Sequence, residues 1–197
     1  MILTEEKQAL LVFLNQHVAL LTLIGFCVIV VWALKLVLYK MGVLKKYTSI
    51  VTHFTKYVPL AGFLITLLAM VGSLFYSYYL GVAACDLCWL GRIFMYPLVF
   101  IFGLALIRGE DIIASGLYRH ILTLSGIGLL ISLYHHYLQM GYSLLAPCST
   151  APFAVDCATP TFIEYGFITF PFMGVVTCSL VILLVLTAKV MYKEGRG

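Results

Sequence analysis

Charged residues are scarce in this 197-residue sequence: Asp, Glu, Lys and Arg make up 10% of it, whereas 63% is hydrophobic. So few charges cannot cover a water-facing surface, which excludes an ordinary soluble domain. Apolar runs of about 20 residues are long enough to span a bilayer and indicate an all-α, polytopic membrane protein. The sequence predicts five helices: Val18–Tyr39, Val58–Leu80, Trp89–Ile107, His120–Met140 and Phe167–Val190.

Other expected features are also missing. Residues 1–17 lack the basic n-region of a signal peptide, and no small-residue cleavage pattern follows the first apolar run, so we expect the first helix to be retained. The chain has no glycine-rich phosphate-binding motif and no flavin or nucleotide motif. We expect the lipid bilayer, and no nucleic acid, among its partners.

Lysine and arginine are absent from the second and fourth connections, residues 81–88 and 141–166. The remaining connections and the C-terminus carry them: Lys40, Lys45, Lys46, Lys56, Arg108, Arg119, Lys189, Lys193 and Arg196. By the positive-inside rule, the N-terminus lies outside and the C-terminus is cytoplasmic. Four of the six cysteines then lie on the outer face, where disulfides persist, while Cys27 and Cys178 lie within helices as packing residues.

Cys85 and Cys88 form a C-x-x-C motif where the third helix begins. Two thiols at this spacing can close a structural disulfide, hold a metal ion or act as a redox pair. If the helix starts at Cys88, Arg92 lies one turn later on the same face. The guanidinium and the helix N-terminus would then both stabilise a Cys88 thiolate, which favours the redox interpretation.

A second cysteine pair, Cys148 and Cys157, lies among three prolines in the fourth connection. Prolines at this density prevent a continuous helix and predict an exposed loop. A disulfide in this loop is either a static staple or one member of a relay, because exchange with the C-x-x-C pair needs only contact and a thiolate.

Arg92 is expected about one turn inside the membrane, where an arginine is a functional hypothesis by default and snorkelling is its alternative. His135 and His136 lie at a similar depth, but neighbouring side chains on a helix point about 100° apart, so at most one faces the same pocket. A cation there would stabilise the negative charge that develops on a quinone carbonyl. These residues predict a membrane thiol oxidase that uses quinone.

Four blocks of the sequence resemble the disulfide-bond formation protein B (DsbB) family, especially its short-looped BdbC-like branch. They are residues 85–97 (Cys-Asp-Leu-Cys-Trp-Leu-Gly-Arg-Ile-Phe-Met-Tyr-Pro), 134–139 (Tyr-His-His-Tyr-Leu-Gln), Pro147-Cys148 with Cys157, and 166–171 (Gly-Phe-Ile-Thr-Phe-Pro). The resemblance spans residues 57–190. Vitamin K epoxide reductase-like proteins are an alternative, although they place the loop cysteines before the C-x-x-C.

The resemblance implies a four-helix bundle in a bacterial or archaeal plasma membrane. It reoxidises a DsbA-like thioredoxin-fold thiol oxidase and passes electrons to ubiquinone or menaquinone. Residues 1–56 then form an extra helix and basic loop, and residues 57–197 form the bundle. Gly91 departs from the family, which usually has Gln or Glu there.

The resemblance also implies the roles of individual residues. Cys85–Cys88 is the quinone-coupled disulfide, with Cys88 next to quinone, and Cys148–Cys157 is the disulfide that exchanges with the partner. Arg92 and His135 bind quinone, and no metal is expected. Two rivals remain, a non-enzymatic scaffold with static disulfides and a metal or haem carrier that uses histidines, although His53 and His120 fall on the cytoplasmic side.

Overall fold

Five long helices make up the chain in a computed structural model that describes residues 5–42, 51–142 and 155–194. They are α1 (Glu5–Lys40), α2 (Val51–Leu74), α3 (Asp86–Arg108), α4 (Leu117–Gln139) and α5 (Phe170–Glu194). A five-residue π-helical segment, Phe75–Tyr79, continues α2 and is called the π-turn below. All five helices are long and apolar enough to cross a membrane, which confirms the predicted polytopic helical protein.

Helices α2 to α5 form a closed bundle in which α2 contacts α3, α3 contacts α4, α4 contacts α5, and α5 returns to α2. The bundle core includes Leu98 and Phe102 of α3, Ile121 of α4 and Val185 of α5, all at most 1% exposed. An added Cβ at Gly174 of α5 would lie 2.7 Å from the Ser132 hydroxyl of α4, so these two helices approach closely. This packing fixes the inner face of α4.

Helix α1 packs beside α5, outside this four-helix ring. It begins at Glu5, earlier than the predicted Val18, because Asn15, Gln16 and His17 interrupt the apolar run without interrupting the helix. At about 1.5 Å per residue its 36 residues exceed the roughly 30 Å of a hydrocarbon core. Most of its apolar side chains face outward, and Cys27 is exposed, contrary to the packing role expected for it.

Helix α3 begins at Asp86, three residues before the predicted start at Trp89. Cys85 is its N-cap residue, with extended backbone (φ −75°, ψ 173°), and Asp86 places a carboxylate in the first turn. A negative charge there is favourable because the first backbone N–H groups of a helix are unpaired. The expectation that the helix starts at Cys88 is therefore wrong, and Cys85 holds the terminal position.

Candidate functional site

Cys85 and Cys88 lie together where α3 begins, with their sulfur atoms 3.3 Å apart. Both are free thiols; Cys85 is buried and Cys88 is half-buried. An S–S bond is about 2.05 Å long, so the structure holds the pair as a dithiol in contact. The Cys85–Cys88 disulfide stays a prediction, and the dithiol is the form it would take after reduction.

His135 of α4 faces this dithiol. Its side chain is 3% exposed, and its Nε2 atom lies 3.6 Å from Sγ of Cys85 and 3.3 Å from the amide nitrogen of Gln139. The hydrogen bond with Cys88, and then the bond and charge of His135, lower the pKa of Cys85 from 9.0 to about 4, although burial acts in the opposite direction. The thiolate was expected at Cys88, but the hydrogen bond with Cys88 and then the neighbouring imidazole favour it at Cys85.

His136 points away from the dithiol, as expected for its position one residue further along a helix. Its Nδ1 atom lies 3.0 Å from the hydroxyl of Thr169, and its ring is 5.1 Å from the ring of Phe172. Of the two histidines, His135 is therefore the one that contacts the cysteine pair.

Arg92 lies one helical turn after Cys88 and is only 9% exposed. Its Nε atom donates to Ser73 Oγ at 3.0 Å, and its Nη2 atom donates to the Ser73 carbonyl at 3.3 Å and to the Ser77 hydroxyl. The guanidinium also lies 4.8 Å from the ring centre of Trp89. A side chain held inward in this way is not snorkelling to the surface, so that alternative does not fit.

One end of the Arg92 guanidinium remains free. Its Nη1 atom is buried without a hydrogen-bond partner, and no carboxylate among the described residues forms an ion pair with it. A buried, unpaired cationic donor is costly, so such an atom indicates a missing acceptor. Gly91, the position that departs from the family, leaves open space, because an added Cβ there meets nothing within 4 Å.

Sequence reasoning missed Ser73, Ser77 and Gln139. The serines are four residues apart in an apolar segment, a spacing that places them on one helix face and could have indicated a polar partner across the bundle. Gln139 is one turn after His135, and its amide oxygen is buried without a partner. The structure thus brings Cys85, Cys88 and His135 into one cluster, with Arg92 on the next turn of α3.

The structure describes one cysteine of the second pair. Cys157 is 1% exposed and disulfide-bonded, whereas Cys148 lies outside the described residues. Asp156 shapes the turn around Cys157 by accepting hydrogen bonds from the Ala158 amide at 3.0 Å and the Thr159 hydroxyl at 2.7 Å. The Ala158 bond and then the Thr159 bond lower the pKa of Asp156.

The cluster of Cys85, Cys88 and His135 also has the spacing of a metal site, since its three ligand atoms lie within 4.8 Å of one another. Two sulfurs and one imidazole nitrogen are suitable ligands for Zn²⁺. Metal ligation therefore remains as an alternative use of these residues.

Comparison with known proteins points to one family. The sequence profile described as "DsbB: Disulfide bond formation protein DsbB" matches residues 55–188. A "Probable disulfide formation protein" of Oceanobacillus iheyensis is 38% identical over 130 residues, which cover 66% of this chain and 85% of that protein. "Disulfide bond formation protein C" of Bacillus subtilis is 34% identical over 131 residues, 66% of this chain and 90% of that protein.

A "Probable disulfide formation protein" of Coxiella burnetii is 36% identical over 114 residues, covering 56% of this chain and 73% of that protein. No solved structure matches this chain. The vitamin K epoxide reductase-like alternative gains no support from these similarities. The profile covers more than half of the sequence and includes both the C-x-x-C motif and the second cysteine pair, so the chain belongs to the DsbB family of disulfide bond formation proteins.

Proposed function

We propose that this membrane protein is a thiol:quinone oxidoreductase. It takes electrons from a DsbA-like thioredoxin-fold thiol oxidase on the outer face of a bacterial or archaeal plasma membrane and passes them to ubiquinone or menaquinone. Membership of the DsbB family supports a role in disulfide bond formation. The observation that carries the finer proposal is the buried Nη1 atom of Arg92, which has no acceptor and lies one turn from the cysteine pair.

The residues fit a quinone. Its carbonyl oxygen is a hydrogen-bond acceptor of the kind that the Arg92 Nη1 atom lacks, and half-buried Cys88 lies one turn away on the same helix. When bound, a quinone supplies an acceptor for two electrons and two protons. Ser73 and Ser77 orient the guanidinium for this contact, because they engage Nε and Nη2 and leave Nη1 free.

Cys85 is the residue that connects the two cysteine pairs in this proposal. Oxidised Cys85–Cys88 is attacked at Cys85 by the thiolate of Cys157; the new Cys157–Cys85 disulfide replaces the old one and Cys88 leaves as a thiolate. Once the partner's second thiol has released Cys148, the Cys148 thiolate attacks Cys157, which re-forms Cys148–Cys157 and frees Cys85 as a thiolate. The Cys85 and Cys88 dithiol then returns to the disulfide by losing two electrons and two protons, for which a bound quinone would be the acceptor. His135 lies against Cys85, so its Nε2 atom is placed to accept the thiol proton when this sulfur becomes a thiolate.

The partner protein is proposed to attack Cys148 first. Its thiolate would displace Cys157, so that one disulfide forms between the proteins as the Cys148–Cys157 disulfide breaks. Burial of Cys157 supports this order, since a soluble partner reaches a sulfur that is 1% exposed only with difficulty. After this displacement, Cys157 is free to attack Cys85.

The proposed orientation has the N-terminus outside and the C-terminus in the cytoplasm. The cysteine cluster lies where α3 begins, whereas basic residues lie near the other end of the bundle, Arg108 at the end of α3 and Lys193 at the end of α5. The positive-inside rule places this basic end in the cytoplasm.

Anaerobic mixing of the purified protein with a reduced thioredoxin-fold oxidase tests the proposal. We expect quinone absorbance to fall as the partner's disulfide forms, with one quinone reduced per disulfide. The control replaces Cys88 by Ser, which leaves the partner-facing disulfide in place and removes the step next to quinone. Absence of both quinone reduction and partner oxidation in the wild type would favour the static-scaffold alternative.

Metal binding is a second candidate function, favoured by the ligand spacing of Cys85, Cys88 and His135. Adding Co²⁺ to the reduced protein tests it, because thiolate ligation in a tetrahedral site gives intense visible absorption. A stoichiometric, tightly bound ion that is lost in both Cys88→Ser and His135→Ala would support a metal site. Full quinone-linked turnover in protein freed of metal would assign the cluster to redox chemistry.

A further inference from the structure

Helix α1 lies outside residues 55–188, the part of the chain that matches the family profile. Most of its surface is apolar and exposed, but Asn15, Ala19 and Thr22 form a buried stripe. Asn15 is 6% exposed. A buried amide in a membrane helix is costly unless it is hydrogen-bonded, so the partner of Asn15 indicates what this helix does.

That partner is Tyr76 of the π-turn. The Tyr76 hydroxyl donates to Asn15 Oδ1 at 3.0 Å, across 61 positions of sequence. The Tyr76 ring is itself 6% exposed and packs edge-on against Phe170 of α5, with ring centres 4.7 Å apart. Tyr76 is thus fixed at its ring by the bundle and at its hydroxyl by α1.

A second contact joins α1 to the same segment. Lys7 donates from Nζ to the Tyr79 carbonyl at 3.1 Å and lies 5.2 Å from the centre of the Tyr79 ring. Lys7 and Asn15 are eight residues apart, about two turns of α1. Lys7 contacts Tyr79, the last residue of the π-turn, and Asn15 contacts Tyr76, the second residue. Helix α1 therefore holds this turn at two points.

The π-turn also carries Ser77, next to Tyr76, and Ser77 accepts a hydrogen bond from Arg92 Nη2. A π-helical turn is rare and is frequently found at functional sites. If the turn relaxed towards α-helical geometry, Ser77 would rotate about the helix axis relative to Ser73, and its hydroxyl would move from the position in which it accepts from Arg92 Nη2. The Arg92 Nη2 atom would then compete with Nη1 for any new acceptor.

We infer that Asn15 is a positioning residue for Arg92. Its hydrogen bond to Tyr76 keeps the π-turn in the register that presents Ser77 to the guanidinium, and thereby leaves Nη1 free for a quinone carbonyl. This inference rests on the proposed function for the identity of the ligand, but the link from Asn15 to Arg92 is a property of the chain alone. It assigns the extra helix a part in the quinone site.

Trp89 provides a direct readout, because Arg92 lies over its ring and the chain has only one other tryptophan, Trp32. In a Trp32→Phe background, Asn15→Leu is compared with Gln16→Leu. Gln16 is the exposed neighbour on the same helix, so the control makes the same chemical change where no contact is lost. Trp89 emission is recorded in the full chain without quinone and then during titration with a short-chain ubiquinone analogue.

We expect Asn15→Leu to shift the emission of Trp89 and to weaken quinone binding by roughly three- to tenfold, the effect of one hydrogen bond. Gln16→Leu should change neither quantity. Tyr76→Phe removes only the hydroxyl and should reproduce the Asn15→Leu effect, and the double variant should be no worse than either single one, because both remove the same bond. If Asn15→Leu fails to fold, the Trp89 emission and the quinone affinity of Tyr76→Phe test the inference.

The inference is overturned if Asn15→Leu and Tyr76→Phe leave both Trp89 emission and quinone affinity at the Gln16→Leu values. That outcome leaves the proposed function intact, since the wild type still binds quinone. Failure of the wild type to bind quinone overturns the proposed function instead. In that case the emission comparison still decides whether Asn15 sets the surroundings of Arg92.

Discussion

Nε2 of His135 lies 3.6 Å from Sγ of Cys85, which couples a histidine on α4 to the cysteine that caps α3. This pair of residues is 50 positions apart in the sequence. The hydrogen bond with Cys88 and then this contact favour the thiolate at Cys85. In the proposed relay, Cys157 attacks Cys85 and Cys88 leaves, so His135 lies against the sulfur that exchanges its disulfide partner.

The first prediction concerns His135. The hydrogen bond with Cys88 and then the interaction with His135 lower the pKa of Cys85 to about 4, so the thiolate is present above this pKa and is lost as the pH falls through it. His135→Ala should raise this pKa by roughly one to two pH units, because a hydrogen bond to a charged group is worth about 1.5–3 kcal/mol. The pH dependence of Cys85 alkylation in the reduced protein, followed by mass spectrometry, measures the change.

His136→Ala is the matched control for this experiment, because its ring contacts Thr169 and Phe172 instead of the dithiol. The alkylation profile of Cys85 should remain unchanged in this variant, and the loss of quinone-linked turnover should be larger for His135→Ala. Equal profiles in the two variants would contradict the role given to His135.

The second prediction concerns Arg92. Arg92→Gln removes the charge and should weaken quinone binding by roughly ten- to hundredfold, as expected for loss of a hydrogen bond from a charged donor. Arg92→Lys keeps the charge but cannot engage Ser73, Ser77 and a ligand with a planar fork, so it should recover only part of the affinity. Equilibrium titration with a quinone analogue measures both effects.

Arg108→Gln is a suitable control, because Arg108 is an exposed arginine at the opposite end of the same helix. It should bind quinone with wild-type affinity. Unchanged affinity in both Arg92 variants would return Arg92 to a structural role and remove the main support for the quinone site.

The third prediction concerns topology. If the basic end of the bundle is cytoplasmic, a membrane-impermeant thiol reagent should label Cys85, Cys88, Cys148 and Cys157 in intact cells after reduction. Cysteines introduced between residues 41 and 56 should react only after the membrane is permeabilised. Labelling of the introduced cysteines in intact cells would reverse the proposed orientation.

The number of helices could be predicted because a bilayer imposes a length on each apolar run, and this signal is local. The ends of α1 and α3 were less predictable. Asn15, Gln16 and His17 interrupt the apolar run but not α1. Helix α3 begins at Asp86, because the Asp86 carboxylate interacts favourably with the unpaired N–H groups of the first turn. Apolar runs locate membrane spans, whereas helix ends depend on capping.

The candidate site was predictable only in its residue types. The C-x-x-C motif, the arginine and the histidine pair are local patterns, but the choice of Cys85 over Cys88 depends on where α4 places His135. Of the two serines that hold Arg92, Ser77 lies in a π-turn, which no propensity predicts. The hydrogen bond from Tyr76 to Asn15 is equally non-local. Contacts between distant segments follow from packing and not from sequence spacing.

The last prediction concerns the order of thiol exchange. In Cys157→Ser,Cys85→Ser, Cys148 has no disulfide partner in the chain, so its thiolate attacks the disulfide of the oxidised partner and releases one partner thiolate, and no thiol at position 157 can then displace the partner. We expect a mixed disulfide between Cys148 and the partner's more N-terminal active-site cysteine, visible on non-reducing gels and absent from Cys148→Ser.

The burial of Cys157 supports this order. Its side chain is 1% exposed, so a folded partner should not reach its sulfur directly. The structure also fits the later release of Cys85 from its disulfide with Cys157, because the hydrogen bond with Cys88 and then His135 stabilise the thiolate that Cys85 becomes. A trapped species linked through Cys157 or Cys88 would show that the order is wrong while leaving the oxidase proposal in place. If no thioredoxin-fold partner forms any mixed disulfide, the two cysteine pairs do not form a relay, and static disulfides explain them better.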